Sequence, residues 1–160
     1  MEDELKIEKE CVLPMFQAEN AEQVIRALSE RMKIKNYVKE DFEEAVLLRE
    51  NKYPTGLQIG KYNIAIPHTE PEYVNQPCVG IATLHQKVPF HRMDASEEEV
   101  DVNVVLLLAL KEAHSHMEML SRIILMCNDE SFVSSLLNTQ TAEEIVGIVS
   151  DRLLGGNEHE

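Results

Sequence analysis

A histidine that follows a short apolar run is the first residue of this sequence that could carry out chemistry. Residues 64–66 (IAI) are typical of a β-strand, and the run stops at Pro67, immediately before His68. We therefore expect a strand that delivers His68 to a loop, with its imidazole presented rather than buried. A neutral imidazole is a competent nucleophile at about pH 7, so His68 could accept a group and later release it. The alternative is a surface or turn histidine without a chemical role.

Two further histidines, His114 and His116, come just after the apolar run at residues 102–110. One hypothesis places His68, His114 and His116 around a zinc ion with an open fourth position. In the other, one histidine of the pair donates a hydrogen bond to an anion bound at His68, helped by N–H groups at the start of a helix. An isolated H-x-H is a weak metal signal, and a solvent-exposed His114 is a third possibility.

Arg49 is the candidate cation for such an anion. It falls on the last turn of an expected amphipathic helix, on or beside the buried face. There it could simply complement the helix dipole, or it could offer a permanently charged fork to a phosphoryl group.

Other motif searches are negative. The sequence has no GxGxxG, GxxxxGK[ST], GxSxG or HExxH, so nucleotide-binding, hydrolase and metalloprotease functions lack support. Cys11, Cys78 and Cys127 are widely spaced within apolar runs, which indicates reduced, buried thiols rather than a disulfide framework or a cysteine zinc site.

The composition predicts one acidic globular domain. The chain has 160 residues, with 15 Lys and Arg against 29 Asp and Glu, which gives a net charge of −14. This balance disfavours nucleic acids and anionic membrane surfaces as partners. The longest apolar run, residues 102–110, is about half the length of a membrane helix, and the acidic N-terminus does not resemble a signal peptide. We expect a cytoplasmic protein with a single domain at residues 1–156 and a disordered tail at residues 157–160.

Apolar periodicity and capping residues predict alternating strands and helices. Strands are expected within residues 9–16 and at residues 64–66, 78–84 and 102–110, and helices at residues 21–32, 39–50, 115–127, 132–137 and 142–154. Tight turns are expected at residues 53–56 (YPTG) and 60–63 (GKYN), and an exposed loop or helix end at the acidic residues 94–101. Met117, Leu120, Ile124 and Cys127 define the apolar stripe expected of the third helix. The pattern indicates an α/β sandwich, a mixed sheet flanked by helices, with His68 and the segment after Leu110 near strand ends.

Three segments resemble the enzyme IIA domains of the fructose/mannitol class, or type 2, in the bacterial phosphoenolpyruvate-dependent sugar phosphotransferase system. The I-A-I-P-H core within residues 59–74 is similar to the phosphorylation-site motif of that family. LLRENKYPTGL (residues 47–57) is similar to its R-E…TG-L segment, and HMEMLSRI (residues 116–123) to its H-L-x-x-L-s helix start.

The resemblance implies specific roles. His68 matches the histidine, through Nε2, that takes a phosphoryl group from the phosphocarrier protein HPr and passes it to a cysteine of enzyme IIB, which serves the membrane component IIC. His116, rather than His114, matches the second active-site histidine, and Arg49 matches the active-site arginine. No cofactor, metal or nucleotide is implied. The T-E-P after His68 is most like galactitol-type enzyme IIA, and Thr69 could donate its hydroxyl to the phosphate or be an ordinary turn residue.

Two further hypotheses stay open. The chain could be a regulatory module, like the nitrogen-related enzyme IIA proteins, whose phosphorylation state controls a partner. Its acidic surface suits docking to a positively charged patch on a carrier such as HPr, with Glu70 and Glu72 as candidates for the rim.

Overall fold

The apolar runs of the chain pair into one mixed sheet. The computed structural model describes residues 4–154, without the side chains of residues 113–115. Within this part of the chain, the sheet has five strands in the order β1-β4-β5-β3-β2. The strands are β1 (Val12–Phe16), β2 (Gly56–Leu57), β3 (Ile64–Ala65), β4 (Cys78–His91) and β5 (Glu99–Ala109). β5 lies antiparallel to β4 and parallel to β3, and β1 is parallel to β4.

Helices cover both faces of the sheet, which confirms the predicted α/β sandwich. They are α1 (Ala21–Ile34), α2 (Phe42–Lys52), α3 (Ala113–Cys127), α4 (Glu130–Leu137) and α5 (Ala142–Leu153). Alternate residues of β5 point into two separate apolar cores: Val105 and Leu107 into the core formed with α1 and α2, and Val104 and Leu106 into the core formed with α3, α4 and α5. Because β5 is buried on both faces, its sequence is continuously apolar rather than alternating.

Side-chain caps begin the helices α1, α4 and α5. The Asn20 side chain accepts a hydrogen bond from the Gln23 N–H at 2.9 Å, and Asp129 accepts from the Ser131 N–H at 3.1 Å. Thr141 accepts from the Glu144 N–H at 3.3 Å. These side chains satisfy N–H groups that the first turn of each helix leaves without a backbone acceptor.

Two secondary-structure predictions for the segment that precedes His68 in the chain were wrong in detail. The helix predicted at residues 39–50 begins at Phe42 instead, because Val38 pairs with Val74 and the Lys39 N–H donates to the Tyr73 carbonyl at 2.9 Å, which hold this segment extended. Residues 53–56 do not form a tight turn, since Gly56 belongs to β2 and pairs with Ala65. A Cβ at Gly56 would lie 2.6 Å from the His91 carbonyl oxygen, so close packing and not turn geometry requires the glycine.

Other boundaries also differ from the prediction. Within residues 9–16, Lys9–Cys11 forms a short 3-10 helix, and the strand β1 is confined to the run that follows it. The acidic run is a loop only in part, because Glu99 already belongs to β5 and pairs with His91 at the end of a long β4. The residues predicted for the tail, 157–160, lie outside the described part of the chain.

The stripe predicted for α3 was wrong in one position. Met117 is 71% exposed, whereas His116 and Ile123 are buried, so the inward face is rotated from the one predicted. Hydrophobicity alone favoured Met117, but the helix turns the neighbouring histidine toward the body of the protein.

The three cysteines are reduced and buried, as predicted. Burial raises the pKa of the Cys11 thiol to about 11 and that of Cys127 to about 12. None of the helices in residues 4–154 is long and apolar enough to span a membrane.

Candidate functional site

The site lies where two parallel strands end. Since β3 and β5 run in the same direction, their carboxyl ends meet at one edge of the sheet. The pairing continues one step beyond β3, where the Leu108 N–H donates to the Pro67 carbonyl at 2.9 Å. His68 follows directly, and the chain leaving β5 enters α3 within a few residues. The fold therefore places His68 and the start of α3 together, as the sequence predicted.

The imidazoles of His68 and His116 face each other. Their ring centroids are 5.0 Å apart, with an angle of 31° between the planes. His116 lies in the first turns of α3 and is only 9% exposed, whereas His68 is half-buried. The side chain of His114 lies outside the described residues.

A backbone carbonyl fixes the orientation of the His68 ring. Nδ1 lies 2.9 Å from the Ile66 carbonyl oxygen, which can only accept a hydrogen bond, so Nδ1 carries the proton. Nε2 is then the nitrogen with the lone pair. Burial lowers the pKa of His68, and the positive charge of Arg49 lowers it further, while the bond to Ile66 and the charge of Glu70 act in the opposite direction. The neutral, nucleophilic ring is thus favoured down to a lower pH than in an ordinary histidine.

Arg49 contributes a cation from the other helical layer. It lies in the last turn of α2, and its Nη1 donates to Glu70 Oε2 at 2.7 Å. The guanidinium also lies 5.5 Å from the centre of the Tyr53 ring. Among the described residues, no acceptor reaches its Nε–H, although that atom is buried. A buried donor without an acceptor is costly, so Arg49 has capacity to bind a second anion.

Glu70 and Thr69 form the loop edge of the site. The Thr69 side chain is buried, and its hydroxyl donates to Glu70 Oε1 at 3.0 Å. This hydrogen bond, together with the charge of Arg49, lowers the pKa of Glu70. Thr69 is therefore bound to a carboxylate. Both expected rim residues, Glu70 and Glu72, are exposed, and Glu70 is also held by Arg49.

Sequence reasoning missed two residues beside this group, Glu50 and Thr55. Glu50 Oε2 accepts the Thr55 N–H at 2.9 Å, and Oε1 accepts the Thr55 hydroxyl at 2.8 Å. Burial raises the pKa of Glu50 to about 7, against the effect of the two bonds from Thr55. The sequence signal for these two residues was the R-E…TG segment. In it Glu50 directly follows Arg49, and Thr55 lies within the predicted turn at residues 53–56.

No group of three or more His, Cys, Asp or Glu side chains is arranged to hold a metal ion within the described residues. The zinc hypothesis involves His114, whose side chain is not described, and elemental analysis of the purified protein is its direct test.

Comparisons with known proteins agree with this architecture. The family model "Phosphoenolpyruvate-dependent sugar phosphotransferase system, EIIA 2" matches residues 6–152. The chain is 24% identical over 132 residues to the galactitol-specific EIIA component of Escherichia coli (strain K12), with 81% of this chain and 87% of that protein aligned. It is 27% identical over 136 residues to the multiphosphoryl transfer protein of Shigella flexneri, with 84% of this chain aligned but only 16% of that much longer protein.

Solved structures share the fold. IIA mannitol from Escherichia coli superposes with a TM-score of 0.75 at 24% identity, over 90% of this chain and 99% of that one. The IIAMTL chain in the complex with phosphorylated enzyme IIBMTL from the same organism gives a TM-score of 0.74 at 22% identity, over 91% and 98% of the two chains. The nitrogen regulatory protein IIA-Ntr from Neisseria meningitidis gives 0.68 at 19% identity, over 91% and 95%. With nearly its whole length matched by the family model, the chain belongs to the EIIA type-2 family of the phosphoenolpyruvate-dependent sugar phosphotransferase system.

Proposed function

We propose that this chain is a histidine phosphocarrier that takes a phosphoryl group from HPr on Nε2 of His68 and passes it to a cysteine of an enzyme IIB. The observation that carries the proposal is the hydrogen bond from His68 Nδ1 to the Ile66 carbonyl, together with the electrostatic effect of Arg49 on the ring. It holds the imidazole in the tautomer whose Nε2 can attack phosphorus. The membership of the chain in the EIIA type-2 family supports this reading.

The proposed reaction is an in-line exchange of bonds at phosphorus. The lone pair of His68 Nε2 attacks, an Nε2–P bond forms, and the bond between phosphorus and the donor atom of HPr breaks with its electron pair. The proton on Nδ1 stays in place, bound to the Ile66 carbonyl. In the second step the thiolate of enzyme IIB attacks the same phosphorus, an S–P bond forms, and the Nε2–P bond breaks, which restores neutral His68.

Charge stabilisation is the proposed role of Arg49 and His116. A phosphoryl group spreads its negative charge over equatorial oxygens as it transfers, and fixed donors lower the energy of that state. Arg49 has a buried Nε–H without an acceptor among the described residues. The His116 ring lies 5.0 Å from that of His68, which makes it the imidazole next to a phosphoryl group bound to His68.

The wider role follows from these assignments. Enzyme IIB and, through it, the membrane component IIC would receive the phosphoryl group for uptake of a sugar or polyol, and galactitol is the proposed substrate because the galactitol-specific relative matches over most of both chains. The net charge of −14 supports a protein partner with a positive face, and not nucleic acid or direct membrane insertion. HPr acts in the cytoplasm, which is therefore the proposed location.

Phosphorylation in a reconstituted system tests the site. With phosphoenolpyruvate, enzyme I and HPr, the wild-type protein should gain one acid-labile phosphoryl group, and His68→Ala should gain none. His85→Ala is the matched control, because His85 is an exposed histidine on β4. Labelling that persists in His68→Ala would refute the assignment.

Onward transfer separates transport from regulation. The phosphorylated protein is mixed with galactitol-specific and mannitol-specific enzyme IIB, and loss of label from His68 is followed over time. Faster transfer to the galactitol-specific protein supports the proposed substrate. Normal uptake of every sugar and polyol by a deletion strain would instead favour the regulatory role.

A further inference from the structure

The R-E…TG segment contains two polar residues that the phosphorylation chemistry does not use. The Glu50 carboxylate accepts both the N–H and the hydroxyl of Thr55, at 2.9 and 2.8 Å. Thr55 is 3% exposed, so its hydroxyl must find its partners within the protein. It donates to Glu50 and at the same time accepts the Ile66 N–H at 3.1 Å.

This set of hydrogen bonds ends at the nucleophile. Ile66, whose N–H is held by Thr55, supplies through its own carbonyl the acceptor for His68 Nδ1. Beyond β3, which is two residues long, the only ladder hydrogen bond described for this segment is the one that Pro67 accepts from Leu108, since Pro67 has no N–H to donate. The Thr55 hydroxyl takes the place of a backbone acceptor for Ile66, the residue that follows β3.

The same residues also connect the two sides of the site. Glu50 follows Arg49 in the last turn of α2, whereas Thr55 and Ile66 belong to the β2–β3 region of the sheet. The hydrogen bonds therefore join the helix that carries the cation to the strand that carries the nucleophile. A displacement of about 1 Å between such groups can cost about a hundredfold in rate.

We propose that Glu50 and Thr55 are positioning residues, which hold Arg49 at a fixed distance from His68 and keep the Ile66 carbonyl aimed at Nδ1. Neither residue touches the transferred group. The inference rests on the proposed function of His68, but its central claim concerns the tautomer of His68 in the unphosphorylated protein.

Thr55→Val and Thr55→Ser test the claim. Valine keeps the volume but removes the hydroxyl, whereas serine keeps it. Nitrogen NMR of the imidazole reports which ring nitrogen carries the proton. In Thr55→Val the Nδ1–H form of His68 should lose population, and the phosphorylation rate with phospho-HPr should fall about tenfold or more. Thr55→Ser should keep the wild-type tautomer and recover most of the rate.

The matched control is Thr83→Val. Thr83 is also fully buried, and its hydroxyl also accepts a backbone N–H, that of Met15 at 2.8 Å, but it lies on β4, two strands from β3. The Thr83→Val substitution should lower thermal stability as Thr55→Val does, without altering the His68 tautomer. Glu50→Gln should reduce the rate as well, and combining it with Thr55→Val should add little, because both break the same connection.

The outcomes separate the two proposals. A folded Thr55→Val protein with wild-type tautomer and rate would overturn the positioning role. The positioning role would also be overturned if Thr83→Val shifted the His68 tautomer as much as Thr55→Val does. If wild-type His68 is not phosphorylated at all, the proposed function fails, while the NMR comparison still decides whether Thr55 orients the ring.

Discussion

If His68 carries a phosphoryl group as proposed, Glu70 competes with that group for Arg49, and replacing Glu70 should shift the phosphorylation equilibrium. In the structure its carboxylate accepts from Arg49 Nη1 at 2.7 Å and from the Thr69 hydroxyl at 3.0 Å. A phosphoryl group on His68 would draw the same guanidinium, so the ion pair stabilises only the unphosphorylated state. Glu70→Gln keeps the size of the side chain and removes the charge. The phosphorylated fraction should therefore rise.

The size of the shift follows from exposure. The side chains of Arg49 and Glu70 are 34% and 54% exposed, so solvent screens their attraction. Ion pairs of this kind are worth about 0.2–1 kcal/mol, which corresponds to a change of about 1.4- to 5-fold in an equilibrium constant. Glutamine can still accept one hydrogen bond from Arg49, which keeps the expected effect within this range.

Glu72→Gln is the control, because it removes one negative charge from the same loop at an exposed position. Each variant is equilibrated with a fixed ratio of phospho-HPr to HPr, and phosphorus NMR gives the phosphorylated fraction. The phosphorylation equilibrium constant of Glu70→Gln should exceed that of Glu72→Gln by about 1.4- to 5-fold. Since the Glu70 charge raises the pKa of His68, that pKa should also fall in Glu70→Gln. Equal shifts in both variants, or a lower phosphorylated fraction in Glu70→Gln, would refute competition for Arg49.

Two further predictions concern stability. Burial raises the pKa of Glu50 from 4.5 to about 7, so its contribution to folding is fully present below pH 4.5 and is lost as the pH rises through about 7, a change of about 3 kcal/mol. Urea unfolding of wild type and Glu50→Gln across this pH range should show the difference, and parallel pH profiles would contradict it. Gly56→Ala should lose about 1–3 kcal/mol, since the added Cβ would meet the His91 carbonyl at 2.6 Å. Gly147→Ala, in α5 with open space around it, should instead gain about 0.5–1 kcal/mol, and thermal unfolding of the pair checks both signs.

The sequence predicted the parts of the fold that depend on local signals. Side-chain caps such as Asn20 and Asp129 act within a few residues, and the continuous apolar run of β5 has one simple explanation, burial on both faces. His68 and His116 were predicted near strand ends because each follows an apolar run, which is also a local signal. Parallel strands place their carboxyl ends together, and the structure brings the two rings to 5.0 Å.

Predictions failed where a distant part of the chain decides the local structure. Gly56 has the sequence setting of a turn, but it lies in β2 because only a glycine fits against the His91 backbone. Lys39 has helix-forming neighbours, yet a bond to the Tyr73 carbonyl keeps it extended. The same limit applies to the site: Glu50 and Thr55 are five residues apart in sequence, but their link to Ile66 exists only once β2 and β3 have paired.

The proposed exchange of Glu70 for a phosphoryl group at Arg49 has a consequence for recognition by a partner. Arg49 pairs with a carboxylate whose pKa is lowered, so Glu70 stays ionised whether or not it holds the guanidinium. If a phosphoryl group takes its place, the site gains that group and also an ionised carboxylate without its cation. Because Arg49 then offsets part of the phosphoryl charge, the net charge of the site changes only by that of the phosphoryl group, but part of the new negative charge lies on the exposed Glu70 carboxylate. A positively charged partner could distinguish the phosphorylated from the unphosphorylated protein by this difference, and because the interaction is between exposed charges it should weaken as salt is added.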